Sequence, residues 1–292
     1  METQITRPVL RYHGGKFGKA GVLADWVIAH LPEHECYVEP FGGGASVLLR
    51  KRRTLNEVYN DTFGEVCALF RVLSEPESAE RLARAVSLTP YAEPVQRAAF
   101  VRPSGPEEDH AAALRLLVRS WMTIASEATA SYRDSGFRGG TKTAVRDPGK
   151  DWRGLPLALA AAADRLQGVH VYEGDYAYVL EKYDGAATAF FVDPPYVHAT
   201  RSAPYLDSYA AEMDEAAHAQ LLARLNGLRG MVLLSGYDSP LYREHLDGRG
   251  WRRIERRTFA NGRGAVKPER TEVLWLNPAA VARLPQGDLF QQ

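Results

Sequence analysis

The sequence predicts an α/β fold in which a doubly wound, mainly parallel sheet carries helices on both faces and a mainly helical segment is inserted. Near the N-terminus, short apolar runs alternate with helical patterns in βαβα order, which is typical of a parallel sheet. The alternation stops after residue 73 and resumes near residue 166. Residues 1–73 and 166–277 are therefore assigned to one domain, residues 74–165 to an insertion and residues 278–292 to a flexible tail.

Apolar periodicity assigns each element in turn. In residues 17–30, for example, Leu23, Val27 and Ile28 recur on one helical face. The first half is predicted to contain this helix, strand 36–40, helix 44–53, strand 56–60 and helix 62–73. The insertion is predicted to contain helix 111–126, a glycine-rich, basic loop or small hairpin over 129–152, and helix 155–167. The second half is predicted to contain strand 169–173, helix 175–182, strand 187–192, helix 212–228, strand 231–235, helix 239–246 and closing, antiparallel strands near 252–259 and 271–276.

The bulk composition is that of an ordinary globular protein. The chain has 292 residues, of which 45% are hydrophobic and 25% charged, and its formal net charge is zero. Its two cysteines, Cys36 and Cys67, form neither a disulfide framework nor a metal-binding spacing, and no metal site is expected. Because no apolar signal segment or membrane-length run is seen, a cytoplasmic protein is expected.

A tetrad of Asp193, Pro194, Pro195 and Tyr196 follows the apolar run 186–192. The Asp carboxylate and the Pro194 carbonyl could accept the two N–H bonds of one amino group, and two prolines form a stiff turn without donors. Tyr196 offers an aromatic face to a flat base. The tetrad therefore suits alkylation of an exocyclic amino group of a nucleobase, with a simple strand-ending turn as the structural alternative.

A glycine-rich turn, Gly42-Gly43-Gly44, follows the first predicted strand. Its glycines would allow a ligand close to the backbone, and the N-terminus of the predicted helix would favour a negative group. Asp61, which ends the second strand, could accept both hydroxyls of a ribose. Val47 stands where a nicotinamide-binding fingerprint needs its third glycine, so that fingerprint is not met. Glu39 either ends its strand or binds a cationic amino group.

These motifs, in this order, resemble the S-adenosylmethionine-dependent DNA adenine-N6 methyltransferases of the alpha, Dam-like class. The similarity also includes Arg11-Tyr12-His13-Gly14-Gly15-Lys16 and Gly174-Asp175-Tyr176, and it extends through 234–238 and 269–275. The family usually has Asn where Gly236 stands and often Trp where Tyr12 stands. The resemblance implies a Rossmann-like methyltransferase sheet and a DNA-recognition domain over residues 74–165.

The resemblance also implies the roles of individual residues. Asp193, Pro194, Pro195 and Tyr196 would hold a flipped adenine of duplex DNA. The cofactor S-adenosylmethionine would lie against Tyr12, Gly14, Lys16, Glu39, Pro40, Phe41, Gly42, Gly44, Asp61, Asp175 and Tyr176. Asp175 could instead only cap the following helix. Cytosine-N4 methylation, which uses the same amine chemistry, and a non-catalytic DNA-binding protein with a retained cofactor pocket remain alternatives.

Basic residues are concentrated in residues 131–153 although the net charge is zero. This stretch is rich in glycine and contains Tyr132, Phe137 and Trp152, a composition that favours contact with phosphates and bases over plain solvated surface. The residues expected to bind DNA are Arg133, Arg138, Lys142 and Arg146.

The C-terminal tail contains Gln286-Gly287-Asp288-Leu289-Phe290, which resembles short peptides that dock on the bacterial replication sliding clamp. A tail folded back on its own domain is the alternative. The expected protein is a monomer, with a dimer as the alternative, and it works at the nucleoid. The sequence does not indicate whether a restriction nuclease accompanies it.

Overall fold

The computed structural model describes residues 5–12, 14–129, 132–140, 147–197, 212–259 and 269–284. Its strands form one sheet of seven, in the order β3-β2-β1-β4-β5-β7-β6. The strands are β1 (Cys36–Glu39), β2 (Asn56–Asp61), β3 (His170–Glu173), β4 (Thr188–Val192), β5 (Met231–Gly236), β6 (Arg252–Phe259) and β7 (Glu269–Leu276). Strand β7 runs antiparallel to both neighbours, and the other pairs are parallel. The predicted Rossmann-like sheet with an antiparallel end is confirmed.

Helices cover both faces of this sheet. They are α1 (Gly18–Ala29), α2 (Gly64–Ser74), α3 (Pro76–Leu88), α4 (Glu93–Ala98), α5 (Asp109–Met122), α6 (Pro148–Arg153), α7 (Leu155–Leu166), α8 (Tyr176–Tyr183), α9 (Glu215–Asn226), α10 (Pro240–Leu246) and α11 (Pro278–Val281), with a 3₁₀ turn at Ser126–Thr129. Several helices begin at a residue type that favours the N-cap, because the side chains of Asp175, Asp214 and Ser239 accept backbone N–H groups of the first turn. No described helix is long and apolar enough to cross a lipid bilayer.

Alternation along the strands divides the apolar residues between two cores. Tyr37 and Tyr59 belong to a cluster with residues of α2, α5 and α7, whereas their strand neighbours Val38 and Val58 pack with residues of α8, α9 and α10. This division follows from the period of two in a strand, which sends successive side chains to opposite faces. The central strands of the sheet are therefore buried on both sides, as in parallel sheets, whereas the edge strands β3 and β6 are partly exposed.

The helices of residues 76–166 share the first of these cores. Leu82 of α3, Leu116 of α5 and Leu159 of α7 belong to the same buried cluster as Tyr37 and Tyr59 of the sheet. A buried ion pair also connects these helices to the sheet, since the guanidinium of Arg165 on α7 donates to both carboxylate oxygens of Glu57 on β2 at 2.6 and 2.8 Å. The assignment of residues 74–165 as a separate recognition domain stays a prediction.

The predicted helix over residues 44–53 is wrong. The segment is a series of turns, with left-handed backbone at Gly43 (φ 46°) and Ala45 (φ 50°). The backbone N–H of Leu48 donates to the Glu39 side chain at 2.7 Å and is therefore not available for a helical hydrogen bond. Helix-like backbone bonds are isolated here, such as those from Leu49 N to Ala45 O at 3.0 Å and from Lys51 N to Val47 O at 2.9 Å. The glycine turn consequently does not lead into a helix N-terminus that could hold a negative group.

The prediction of a loop throughout residues 129–152 is wrong at its end, where α6 begins at Pro148. The Asp147 side chain accepts from Gly149 N and proline occupies the first turn, a start signal that the sequence displays. Trp152, expected among the aromatics that flank a DNA contact, is buried and donates to the Thr89 carbonyl at 2.9 Å. Residues 141–146 lie outside the described residues.

Candidate active site

A cleft opens at the carboxyl ends of β1, β2 and β4. It encloses about 1100 Å³, part of it open to solvent. Strands β1 and β4 are neighbours in the sheet, but the next strand after β1 lies on one side of this pair and the next strand after β4 lies on the other. Open α/β sheets bind their ligands at such a switch in strand order. Its lining includes Tyr12, Gly14, Gly15, Lys16, Glu39, Pro40, Phe41, Gly42, Gly43, Gly44, Ser46, Asp61, Phe63, Asp175, Tyr176, Phe191, Asp193, Pro195, Tyr196 and Met213. The predicted cofactor residues and three of the four predicted base residues thus meet in one cavity, whereas Pro194 is buried and does not line it.

Lys16 and Asp193 form an ion pair in the cleft. The Lys16 Nζ lies 2.7 Å from both carboxylate oxygens of Asp193 and 3.2 Å from the Tyr196 hydroxyl. Lys16 is buried, and its backbone N–H donates to the Ser46 hydroxyl at 3.1 Å, which fixes the chain next to the glycine turn. The structure therefore places Lys16, expected at the cofactor, on the carboxylate expected to bind the base.

Tyr196 is held by its hydroxyl and by its ring. The hydroxyl donates to Glu272 Oε2 at 2.8 Å and lies 3.4 Å from the Ser235 hydroxyl. The ring meets Tyr237 edge-on, with ring centroids 4.7 Å apart. Burial raises the pKa of Glu272, an effect opposed first by the Lys16 charge. No functional role was expected for Glu272; an acid directly before the apolar run Val273-Leu274-Trp275 was the available signal.

The glycine turn is shaped by two tyrosines as well as by the cleft. A Cβ on Gly42 would lie 2.1 Å from Tyr59 Cε2, and one on Gly43 would lie 2.9 Å from Tyr12 Cε1. The Tyr59 hydroxyl donates to the Gly43 carbonyl at 2.9 Å. These glycines therefore permit close approach of the protein's own aromatic rings, in addition to any approach of a ligand.

Two acids flank the glycine turn, Glu39 buried and Asp61 half-buried. Glu39 Oε1 accepts from the Tyr37 hydroxyl and from Leu48 N, both at 2.7 Å, and burial raises the pKa of Glu39 to about 7. Asp61 accepts from Gly43 N at 2.8 Å through Oδ2 and from Phe63 N at 2.9 Å through Oδ1. Burial also raises the pKa of Asp61. Both carboxylates hold the walls of the cleft and face its interior.

The far wall of the cleft contains Phe41 and Tyr176, whose rings are stacked at 4.9 Å. Asp175 accepts from Ala177 N at 2.7 Å, so its role as the N-cap of α8 is confirmed, while a role toward the cofactor stays a prediction. Asn60 was not anticipated. Its buried amide donates to the carbonyls of Pro40 and Gly174 and ties the two loops together.

Arg11 joins this cleft to the inserted helices. Its guanidinium donates to the carbonyls of Ser120, Thr123 and Ile124, at and just beyond the end of α5. The backbone carbonyl of Arg11 also accepts from the Thr129 hydroxyl at 2.7 Å. The segment that carries Tyr12 and Lys16 is therefore anchored to the end of α5.

The residues expected to bind DNA differ in their surroundings. Arg133 is exposed, whereas Arg138 is half-buried and pairs with Asp151 at 3.2 Å. The Tyr132 ring is covered by the guanidinium of Arg119, 4.2 Å from its centroid, so this aromatic serves internal packing. The remaining candidates, Lys142 and Arg146, and the tail motif from Gln286 to Phe290 lie outside the described residues.

Comparison with known proteins agrees with this geometry. The sequence model of the D12 class N6 adenine-specific DNA methyltransferases matches residues 12–259, which begin at the wall of the cleft and end with β6. No curated protein matches the sequence. The match supports methylation of adenine N6 over cytosine N4 and an enzyme over a non-catalytic DNA-binding protein. The chain belongs to the D12 class of adenine-specific DNA methyltransferases and methylates the N6 amino group of adenine in DNA.

Proposed function

We propose that the methyl donor is S-adenosylmethionine and that donor and flipped adenine meet in the cleft at the ends of β1 and β4. The observation that carries the proposal is that one cavity is lined both by Asp193 and by the acids and aromatic rings around the glycine turn. When bound, the donor supplies a methyl carbon made electrophilic by a sulfonium charge. Its adenine, ribose and amino-acid parts each have a chemical match in the cleft.

The donor side of the cleft offers acidic and aromatic groups. Asp61 can accept ribose hydroxyls through lone pairs that its backbone bonds leave unused. Among the described residues, both bonds to Glu39 fall on Oε1, which leaves Oε2 for a cationic amino group. Phe41 and Tyr176 supply apolar surface for the donor's adenine, near Asp175. These features support the proposed roles of the residues named from the sequence, including Tyr12, Gly14, Pro40, Gly42 and Gly44.

The base side of the cleft is formed by the tetrad. A base must leave the duplex to reach it, because its amino group is inaccessible within the stack. Asp193 and the Pro194 carbonyl accept the two N–H bonds of N6 and thereby orient its lone pair. As the bond from N6 to the methyl carbon forms, the methyl–sulfur bond breaks and its electron pair stays on sulfur. Asp193 takes the surplus N6 proton. Alignment of two reactants contributes about 7–11 kcal/mol to such reactions.

The insertion supplies the surface for duplex DNA in this proposal. Residues 74–165 form the recognition domain, and of the two described DNA-binding candidates Arg133 is the exposed one, available to a phosphate. The ion pair of Arg138 with Asp151 makes Arg138 a weaker candidate. Lys142 and Arg146 keep their proposed roles on the strength of the sequence.

Further proposals rest on the sequence and on the activity. The enzyme works as a monomer at the nucleoid, where its substrate is. Its tail motif, Gln286 to Phe290, docks on the replication sliding clamp and raises the local concentration of the enzyme on newly copied DNA. Partnership with a restriction nuclease would be indicated by a nuclease that cleaves the same, unmethylated site.

Replacement of Asp193 tests the proposed chemistry. Asp193→Ala should lower methylation of unmethylated genomic DNA by orders of magnitude, because the carboxylate acts mainly in the transition state. Its affinity for S-adenosylmethionine, measured by calorimetry, should stay within a few-fold. Asp238→Ala is the matched control, since Asp238 follows β5 and pairs with Arg243 and Arg253 outside the cleft lining. Retained turnover in Asp193→Ala would refute the assignment.

A further inference from the structure

We propose that Glu272 is a positioning residue for methyl transfer, because it offers the Lys16 ammonium a second carboxylate when the target base enters. The inference rests on the proposed function, in which Asp193 accepts an N–H bond of the base. Lys16 occupies both oxygens of Asp193 at 2.7 Å. The ammonium and the amino group of the base therefore compete for one carboxylate, and Lys16 must move or share before N6 can be oriented.

The Tyr196 hydroxyl connects Lys16 with Glu272. The Lys16 Nζ donates to this hydroxyl at 3.2 Å, and the hydroxyl donates to Glu272 Oε2 at 2.8 Å. An ammonium has three N–H donors on a rotatable stem. It can turn from Asp193 toward Glu272 around a hydroxyl that it already contacts.

The burial of Glu272 supports a role that depends on its charge. Glu272 is 7% exposed, and β7 continues from it into Val273 and Leu274, which are fully buried. A buried carboxylate is costly unless a cation or hydrogen bonds compensate it. Lys16 in the resting structure is already paired with Asp193. A second acid beside that pair is explained if Lys16 pairs with Asp193 in the absence of the base and with Glu272 when the base is bound.

The competing explanation is that Glu272 only holds the Tyr196 ring in place. Glu272→Gln separates the two, because glutamine keeps the size and the acceptor for the hydroxyl but removes the negative charge. Lys16→Met provides the matched background, since it keeps most of the stem and removes the ammonium. If Glu272 acts by pairing with the Lys16 ammonium, removal of the Glu272 charge should have no effect in the Lys16→Met variant.

The readout is the preference for the base's amino group. Sequencing of DNA from cells that express the chain identifies the recognition site. Duplexes carrying that site with adenine or with purine, which lacks the amino group, are then titrated in the presence of S-adenosylhomocysteine. The ratio of the purine Kd to the adenine Kd cancels contacts to the rest of the duplex. Thermal melting of each variant verifies folding.

We expect Glu272→Gln to lower this ratio by about tenfold, the scale of one charge interaction in a partly buried site. Lys16→Met should keep the ratio at or above the wild-type value, and Lys16→Met/Glu272→Gln should equal Lys16→Met. An unchanged ratio in Glu272→Gln, or the same loss in both backgrounds, would overturn the inference. Asp193→Ala should abolish the preference; if the preference survives there, the proposed function fails as well, whereas failure of Glu272→Gln alone leaves it intact.

Discussion

A methyl group added to the glycine turn should damage the cleft more than any ordinary surface change. In Gly42→Ala the new Cβ would lie 2.1, 2.5 and 2.7 Å from three carbons of the Tyr59 ring. Ordinary contact begins at 3.4 Å, so the ring or the turn must move by more than 1 Å. Tyr59 is fully buried, packs on Phe70 with ring centroids 4.4 Å apart and donates to Gly43 O. The turn therefore has to yield.

The expected cost of Gly42→Ala is about 3 kcal/mol, the upper end of measured overpacking in cores. For a chain of this size that lowers Tm by roughly 6–10 °C. Because the turn lines the cleft, the Kd for S-adenosylmethionine should rise at least tenfold. Gly174→Ala is the control, since a Cβ there meets nothing within 4 Å although the residue directly precedes Asp175 of the cleft. A Tm and a Kd for S-adenosylmethionine equal to those of the wild type in Gly42→Ala would refute the steric argument.

Two further predictions concern DNA and pH. Arg133→Ala should reduce the salt dependence of DNA binding by about one unit of slope without changing Tm. Arg138→Ala should instead lower Tm by about 2–4 °C, because the pair with Asp151 is lost. An unchanged salt slope in Arg133→Ala would show that Arg133 does not contact a phosphate. Because the pKa of Glu39 is raised to about 7, Glu39 is protonated below that value, and affinity for the donor's ammonium should rise up to tenfold per unit as pH increases toward 7. Glu39→Gln should flatten this part of a calorimetric pH series, and an unchanged slope would contradict the ligation.

Apolar runs predicted the central strands well because burial on two faces, as in β4 and β5, leaves a strong signal. All seven predicted strands are present, and the ends of β1, β2 and β4 meet as the motif order implied. The failures arise from contacts that periodicity does not contain. The helix expected over 44–53 is replaced by turns where Leu48 N bonds to Glu39, and α6 is only six residues long, too short for a periodic pattern.

Most residues that line the cleft were named from the sequence, but their pairings were not. Asp193, Tyr196 and Lys16 were each expected to bind a ligand, yet the ion pair of Lys16 with Asp193 joins positions 177 residues apart and has no local signature. The same holds for Glu272, whose partner Tyr196 is 76 residues away. Such pairings depend on strand order, which brings β4, β5 and β7 together, and single-residue chemistry does not determine strand order.

The joint at Arg11 bears on how enzymes with this architecture can acquire new target sequences. Its guanidinium donates to main-chain carbonyls at the end of α5. Any residue type supplies such a carbonyl equally well, as long as the backbone geometry is the same. Side chains in that part of the insertion can therefore be exchanged without loss of these three bonds, provided that the helix ends in the same way. In the recognition domain proposed above, variation of these side chains therefore leaves the placement of Lys16 intact, whereas a grafted insertion must also restore the core shared with the sheet and a partner for Glu57.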